Sequence, residues 1–258
     1  MKKRLSIKYN CILIALTVAL SAVLLFACNE KGNPYASDHN FVVRTTDGED
    51  ALEFTPVDFT PKYGIVFYCG ALISPSYYTY LGESLAKQGY LVIIPKLANN
   101  FALNDYLLNE PAFTKYEGVR FFVGGHDMGG GAAVRRAMEC KSYIKGVFLY
   151  SPLAFKTQKF ENGQLVFDDD GDPVWQHFSI ANQSIPTLLL ETDEQSRTDE
   201  LKQDAKSHIN LNSATLITLN NSATTAFSQN TSLPLEQAKA QRALAIKHTL
   251  DFLRSVVA

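Results

Sequence analysis

Short apolar runs, several of them broken by glycine or proline, alternate along this chain with stretches in which apolar residues recur at helical spacing. The runs Ile65 to Tyr68, Leu91 to Ile94, Phe121 to Gly124, Gly146 to Tyr150, Thr187 to Glu191 and Thr215 to Leu219 predict buried strands. Helical patterns fall between several of them, including Tyr77 to Lys87, and a last one runs from Leu235 to Val257. Before these, Phe41 to Arg44 and Leu52 to Thr55 predict two opening strands joined at an Asp47-Gly48 turn, forming an antiparallel edge. Buried strands alternating with amphipathic helices imply an α/β fold whose largely parallel sheet is covered on both faces. One stretch breaks the pattern: Phe160 to Pro173 carries an Asn162-Gly163 hairpin signal and then an acidic turn, and predicts a small excursion between two sheet strands.

The first residues are different material. Lys2, Lys3, Arg4 and Lys8 precede an apolar stretch, Cys11 to Ala27, which is short for a membrane span and ends at Leu25-Phe26-Ala27-Cys28. This resembles a bacterial lipoprotein signal, which implies removal of residues 1–27, lipidation of Cys28 and an exported protein anchored in the cell envelope. Phe26 departs from the small or aliphatic residue usual there, which leaves ordinary signal cleavage or an uncleaved anchor as alternatives. Residues 28–40 are mostly polar, with Gly32 and Pro34, and are expected to form a flexible tether to a domain spanning 41–258.

A chain of 258 residues with 46% hydrophobic content can bury one sizeable core in one domain. A net charge of -2 and the lack of a long basic run argue against nucleic acid as a partner. With Cys11 and Cys28 assigned to the leader, Cys69 and Cys140 remain, and both are expected to be unpaired. Neither has a metal-ligand neighbour at suitable spacing, so no metal and no cofactor is expected. The acidic turn around Asp168 to Asp172 lacks the spaced downstream glutamate of a calcium loop and reads as a solvated turn.

The candidate chemistry centres on Phe121-Phe122-Val123-Gly124-Gly125-His126-Asp127-Met128-Gly129-Gly130-Gly131, a buried strand, a glycine-pinched turn and a helix start. Its plain reading is a tight turn whose acidic residue caps the next helix. Its functional reading is a nucleophile elbow, in which small flanking residues let strand and helix approach closely and hold the tip residue in a strained turn. Together with FYCGALISPSYYTYLGESLAKQGYLVIIPK and SIPTLLLETDEQ, this segment resembles the alpha/beta hydrolase superfamily, in particular its dienelactone-hydrolase-like and polyester-hydrolase-like branches. The likeness runs from about Ala51 to the C-terminus.

The resemblance implies a nucleophile, an acid and a histidine in that chain order, and this sequence departs from all three. Asp127 stands at the nucleophile position, Gln195 at the acid position with Asp193 and Glu194 close by, and Thr224 at the histidine position. The backbone N–H groups of Ala71 and Met128 would still form a two-donor oxyanion cradle, and the Asp127 carboxylate is expected to accept both. His39, His126, His177, His208 and His248 are the remaining histidines, and a surface or core role is expected for each. The expected function is a non-catalytic homologue that binds an unknown small molecule or protein. One alternative is a hydrolase with an unorthodox site, in which Asp127 acts as base or nucleophile helped by His126 or Glu194. In this form GHDMGG resembles haloalkane dehalogenase and epoxide hydrolase elbows. A second alternative is a scaffold that presents the excursion, with Phe167 and Trp175, to a macromolecule.

Overall fold

The structure, a computed structural model, describes residues 33, 35–102, 113, 115–161 and 164–258. The leader, Cys28 and the Asn162-Gly163 pair lie outside the described residues. By its contacts the chain divides into Met1–Ser37 and Asp38–Ala258, and all that follows concerns the second unit.

Eight strands form one sheet. They are β1 (Val43–Asp47), β2 (Ala51–Pro56), β3 (Tyr63–Tyr68), β4 (Leu91–Pro95), β5 (Arg120–His126), β6 (Ile144–Tyr150), β11 (Thr187–Thr192) and β12 (Ala214–Leu219). The order is β1-β2-β4-β3-β5-β6-β11-β12. β1, β2 and β4 pair antiparallel, and from β4 to β12 every pairing is parallel. The helices among the described residues include α1 (Thr79–Ala86), α2 (Met128–Glu139), α3 (Asp199–Ser207) and α4 (Leu235–Val257).

Every residue of β4 and β11 is buried, which requires cover on both faces of the sheet. On one face, Val66, Val123, Val147 and Leu149 pack with Ala132, Ala133 and Ala137 of α2. The other face is aromatic: Phe67 stacks on Phe148, with ring centroids 5.8 Å apart, and Tyr150 stacks on Phe227 at 4.8 Å.

Two expected boundaries shift. The first strand begins at Val43 rather than Phe41 and continues to Asp47, its register with β2 set by the Gly48 turn. The helix expected from Tyr77 is a 3-10 turn, Pro75–Tyr78, followed by α1, because Pro75 suits a helix start and the Ser74 hydroxyl caps the Ser76 amide. The excursion is built from β7 (Lys156–Gln158), β8 (Phe160–Glu161), β9 (Gln164–Leu165) and β10 (Trp175–His177), with β7 paired to β10 and β8 to β9. Asp168 closes its acidic turn by accepting the amides of Asp170 and Asp172 at 3.1 and 2.8 Å. Cys69 is a buried free thiol whose pKa burial raises, and Cys140 is half-buried with Arg136 Nη1 3.8 Å from its sulfur. Among the described residues no helix is long and apolar enough to cross a membrane.

Candidate functional site

β5 runs straight into α2 through Asp127, which has φ 53° and ψ -125°. A positive φ in a residue with a side chain costs on the order of 1–3 kcal/mol and persists only where the surroundings impose it. Here three backbone bonds impose it. The Asp127 amide donates to the Tyr150 carbonyl at 3.0 Å, and its own carbonyl accepts from Gly130 and Leu153, each at 2.9 Å. The flanking glycines are required by close approach: a Cβ on Gly125 would collide with the Gly129 carbonyl, and one on Gly129 with the carbonyls of Tyr68 and Cys69.

The carboxylate of Asp127 is half-buried, and its Oδ2 accepts the Ala71 amide at 3.3 Å. The Met128 amide does not join it among the described residues. Asp127 stands at the cap position of α2 but makes no side-chain cap bond to the helix, so the expected pair of amide bonds reduces to one.

His126 is buried beside this turn and makes no hydrogen bond to Asp127 among the described residues. Its Nδ1 lies 2.7 Å from the Tyr78 hydroxyl, whose oxygen accepts the Gly70 amide at 3.0 Å. Burial holds the phenol's pKa well above its ordinary value, so Tyr78 keeps its proton, and which of the two groups donates in this contact follows the imidazole tautomer. The other ring nitrogen, Nε2, has no hydrogen-bond partner at good geometry among the described residues. Burial lowers the His126 pKa to about 4, against opposing pulls from Asp127, the Thr224 backbone and Glu194. A ring held neutral by burial, with Nδ1 engaged by a phenol, is poorly placed to act as a base for the turn.

This ring also predicts a pH dependence. Its folded pKa of about 4 lies below the ordinary 6.5, so the unfolded chain takes up the proton first as pH falls. Stability is full above about pH 6.5, declines between there and pH 4 by about 3 kcal/mol, and is level below that as far as this group is concerned. His126→Asn, which retains an acceptor for Tyr78, should flatten the dependence of the urea midpoint across that window. Equal slopes in parent and variant would refute the assignment.

The other side of the site comes from the loops after β11 and β12. Thr224 opens a 3-10 turn, Thr224–Phe227, and its amide donates to Glu194 Oε2 at 2.9 Å. Its hydroxyl lies 3.2 Å from that of Thr192. Gln195, expected to face Thr224, is instead exposed, and Glu194 takes the place. The reason is the turn itself: Asp193 ties it to the next loop by accepting the Asn221 and Ser222 amides at 2.8 and 2.9 Å, which leaves the following side chain pointing at Thr224. Those two amides hold the Asp193 pKa below the ordinary range. For Glu194 burial acts upward, but the Ser196 hydroxyl and the Thr224 hydroxyl and amide outweigh it and keep the group ionised.

Asp127, Glu194 and Thr224 are thus brought to one end of the sheet, outside the carboxyl ends of the parallel strands. The remaining histidines are elsewhere: His39 stacks on Phe41, His177 is exposed on β10, His208 stacks on Phe155 and His248 lies on α4. Among the described residues no histidine hydrogen-bonds to Asp127, and no group of three metal-binding side chains occurs.

Two features of the site escaped sequence reasoning. One is Tyr78, which nothing in SPSYYTY distinguishes from its neighbours. The other is a buried ion pair in which Arg197 Nη2 and Nε reach the two oxygens of Glu191 at 2.8 and 3.1 Å, while Nη2 also donates to the Pro152 carbonyl at 3.3 Å. A glutamate inside the apolar run TLLLET was its signal, because a buried carboxylate requires a cation.

The profile of the alpha/beta hydrolase family matches residues 64–192, half of the chain. The chain belongs to that family. Similar solved structures include a protein from Thermoplasma acidophilum described as a predicted CIB-like hydrolase, at 14% identity, 83% of this chain, 98% of that chain and TM-score 0.53. A soluble variant of monoglyceride lipase from Saccharomyces cerevisiae, in complex with a substrate analog, is similar at 11% identity, 86% and 96% coverage and TM-score 0.54. A structure from a study of LipS and LipT, two metagenome-derived lipolytic enzymes, gives 15%, 82%, 100% and 0.54. At such identities the likeness establishes the fold alone. No curated protein sequence matches the chain.

Proposed function

We propose that this chain is an exported, lipid-anchored member of the alpha/beta hydrolase family that does not run the hydrolytic cycle and instead binds a small molecule or protein at the Asp127 end of its sheet. One observation carries the reading. The residue at the tip of the turn is a carboxylate that occupies the Ala71 amide itself, and among the described residues no imidazole is bonded to it. A serine-type cycle needs a neutral nucleophile, a base within hydrogen-bond reach and an amide pair free for the oxyanion. Nucleophilic use of Asp127 would still need a base to hydrolyse the resulting ester, and His126 is spoken for by Tyr78.

The purified protein should hydrolyse short p-nitrophenyl esters no faster than its Asp127→Ala variant. Turnover that Asp127→Ala abolishes would end this reading in favour of an unorthodox hydrolase. In the same preparations the parent should fractionate with membranes and Cys28→Ser should not; equal partition would remove the anchor from the proposal.

The scaffold reading has its own support. Phe167 and Trp175 of the excursion are 55% and 50% exposed, and the Lys156 ammonium lies 5.1 Å from the centre of the Trp175 ring.

A further inference from the structure

The sheet ends at β12, which pairs with β11 on one side, while no described element pairs with its other side. A strand edge of this kind offers a row of amide and carbonyl groups to any extended chain, and proteins usually blunt it with charges, proline or a bulge. The opposite edge of the sheet is blunted in this way: β1 reads VRTTD and carries Arg44 and Asp47. β12 reads ATLITL, with no charge, no proline and no register shift against β11. Leu216 on it is 45% exposed, and Leu211, in the turn that leads into it, is 54% exposed.

Behind this edge, over the β11–β12 pair, lies a recess of about 80 Å³ lined by Leu189 and Glu191 of β11, Leu216, Ile217 and Thr218 of β12, and Lys202 and Lys206 of α3. Lys96, Lys115, Lys159, Lys239 and Lys247 each hold a carboxylate. Lys202 and Lys206, one helical turn apart on the wall of the recess, hold none among the described residues. Among the described residues the one carboxylate lining the recess, Glu191, is taken by Arg197, and Asp199, Glu200 and Asp204 of α3 are exposed to solvent outside it.

We propose that the free edge of β12 receives an extended, acidic peptide segment as an added strand, its backbone pairing with Thr215 to Thr218 and its carboxylates meeting Lys202 and Lys206. Strand addition supplies affinity through main-chain bonds, and the flanking side chains supply selectivity. A second copy of this chain is disfavoured as the occupant. Antiparallel pairing of two β12 strands about a two-fold axis normal to the sheet leaves both α3 helices on one face and turns the lysine flank of each toward that of the other. The site is remote from Asp127 and independent of whether that end of the sheet is catalytic.

The test uses the full-length chain in detergent micelles and three blocked, fluorescently labelled hexapeptides in which valine alternates with aspartate, with lysine or with serine. The aspartate peptide should bind about tenfold more tightly than the lysine peptide, with the serine peptide between them. It should also slow amide exchange in Thr215 to Thr218 and leave β1 unaffected. Lys202→Glu with Lys206→Glu should reverse the order of the aspartate and lysine peptides, which loss of folding would not do. Equal binding of all three peptides, unchanged exchange in β12, or protection of β12 by self-association in the absence of peptide would each overturn the proposal.

Discussion

Asp127→Ser combined with Thr224→His should raise p-nitrophenyl ester hydrolysis by roughly 10²-fold over the parent, whereas either substitution alone should leave it near the parent level. The non-additivity follows from the chemistry, since a hydroxyl without a base and a base without a hydroxyl both fail to deliver a nucleophile. The scaffold for both is present. Asp127 sits at a strained corner held by the Tyr150, Gly130 and Leu153 backbone bonds, and serine there would stand in the same direction. Removing the carboxylate also frees the Ala71 amide for a developing oxyanion. A histidine at 224 would have Glu194 beside it, already bonded to the backbone amide of that position at 2.9 Å. The decisive control is Glu194→Gln in the double variant, which should remove most of the gain, while Gln195→Glu should add little. Activity that depends on position 195 and ignores 194 would show that the loop presents the other side chain.

The second large effect concerns stability. Arg197→Ala should cost about 3–5 kcal/mol, read as a fall in the urea midpoint, because it leaves the buried Glu191 carboxylate without its cation and the Pro152 carbonyl without a donor. Both partners are under 5% exposed, so water cannot take over the role of the guanidinium. The companion double variant, Arg197→Met with Glu191→Leu, removes both charges and should recover a large part of the loss. A single variant that unfolds at the parent midpoint would mean that the pair is solvated in a way its burial does not suggest.

The α/β architecture was legible because its strands are buried on both faces and so appear as uninterrupted apolar runs, with β11 and β12 recognisable almost to the residue. The turn at Asp127 was legible for a related reason: a backbone corner this tight leaves room only for glycine at 125 and 129. What could not be read was side-chain direction within short loops. Asp193, Glu194 and Gln195 are three adjacent polar residues, and the one facing Thr224 is chosen by two amides on a loop 28 and 29 positions away. Tyr78 was hidden likewise, because a phenol that bridges Gly70 and His126 is defined by where two loops meet. The first strand was misplaced by two residues since edge strands are only half apolar and their periodicity is faint.

The corner at residue 127 has a further implication. An unstrained glycine would satisfy the chain's path there, so protein stability alone gives no reason for a side chain at that point. The strain held in that bend is what fixes the direction of the Asp127 side chain, setting its carboxylate against the Ala71 amide at the carboxyl end of the sheet.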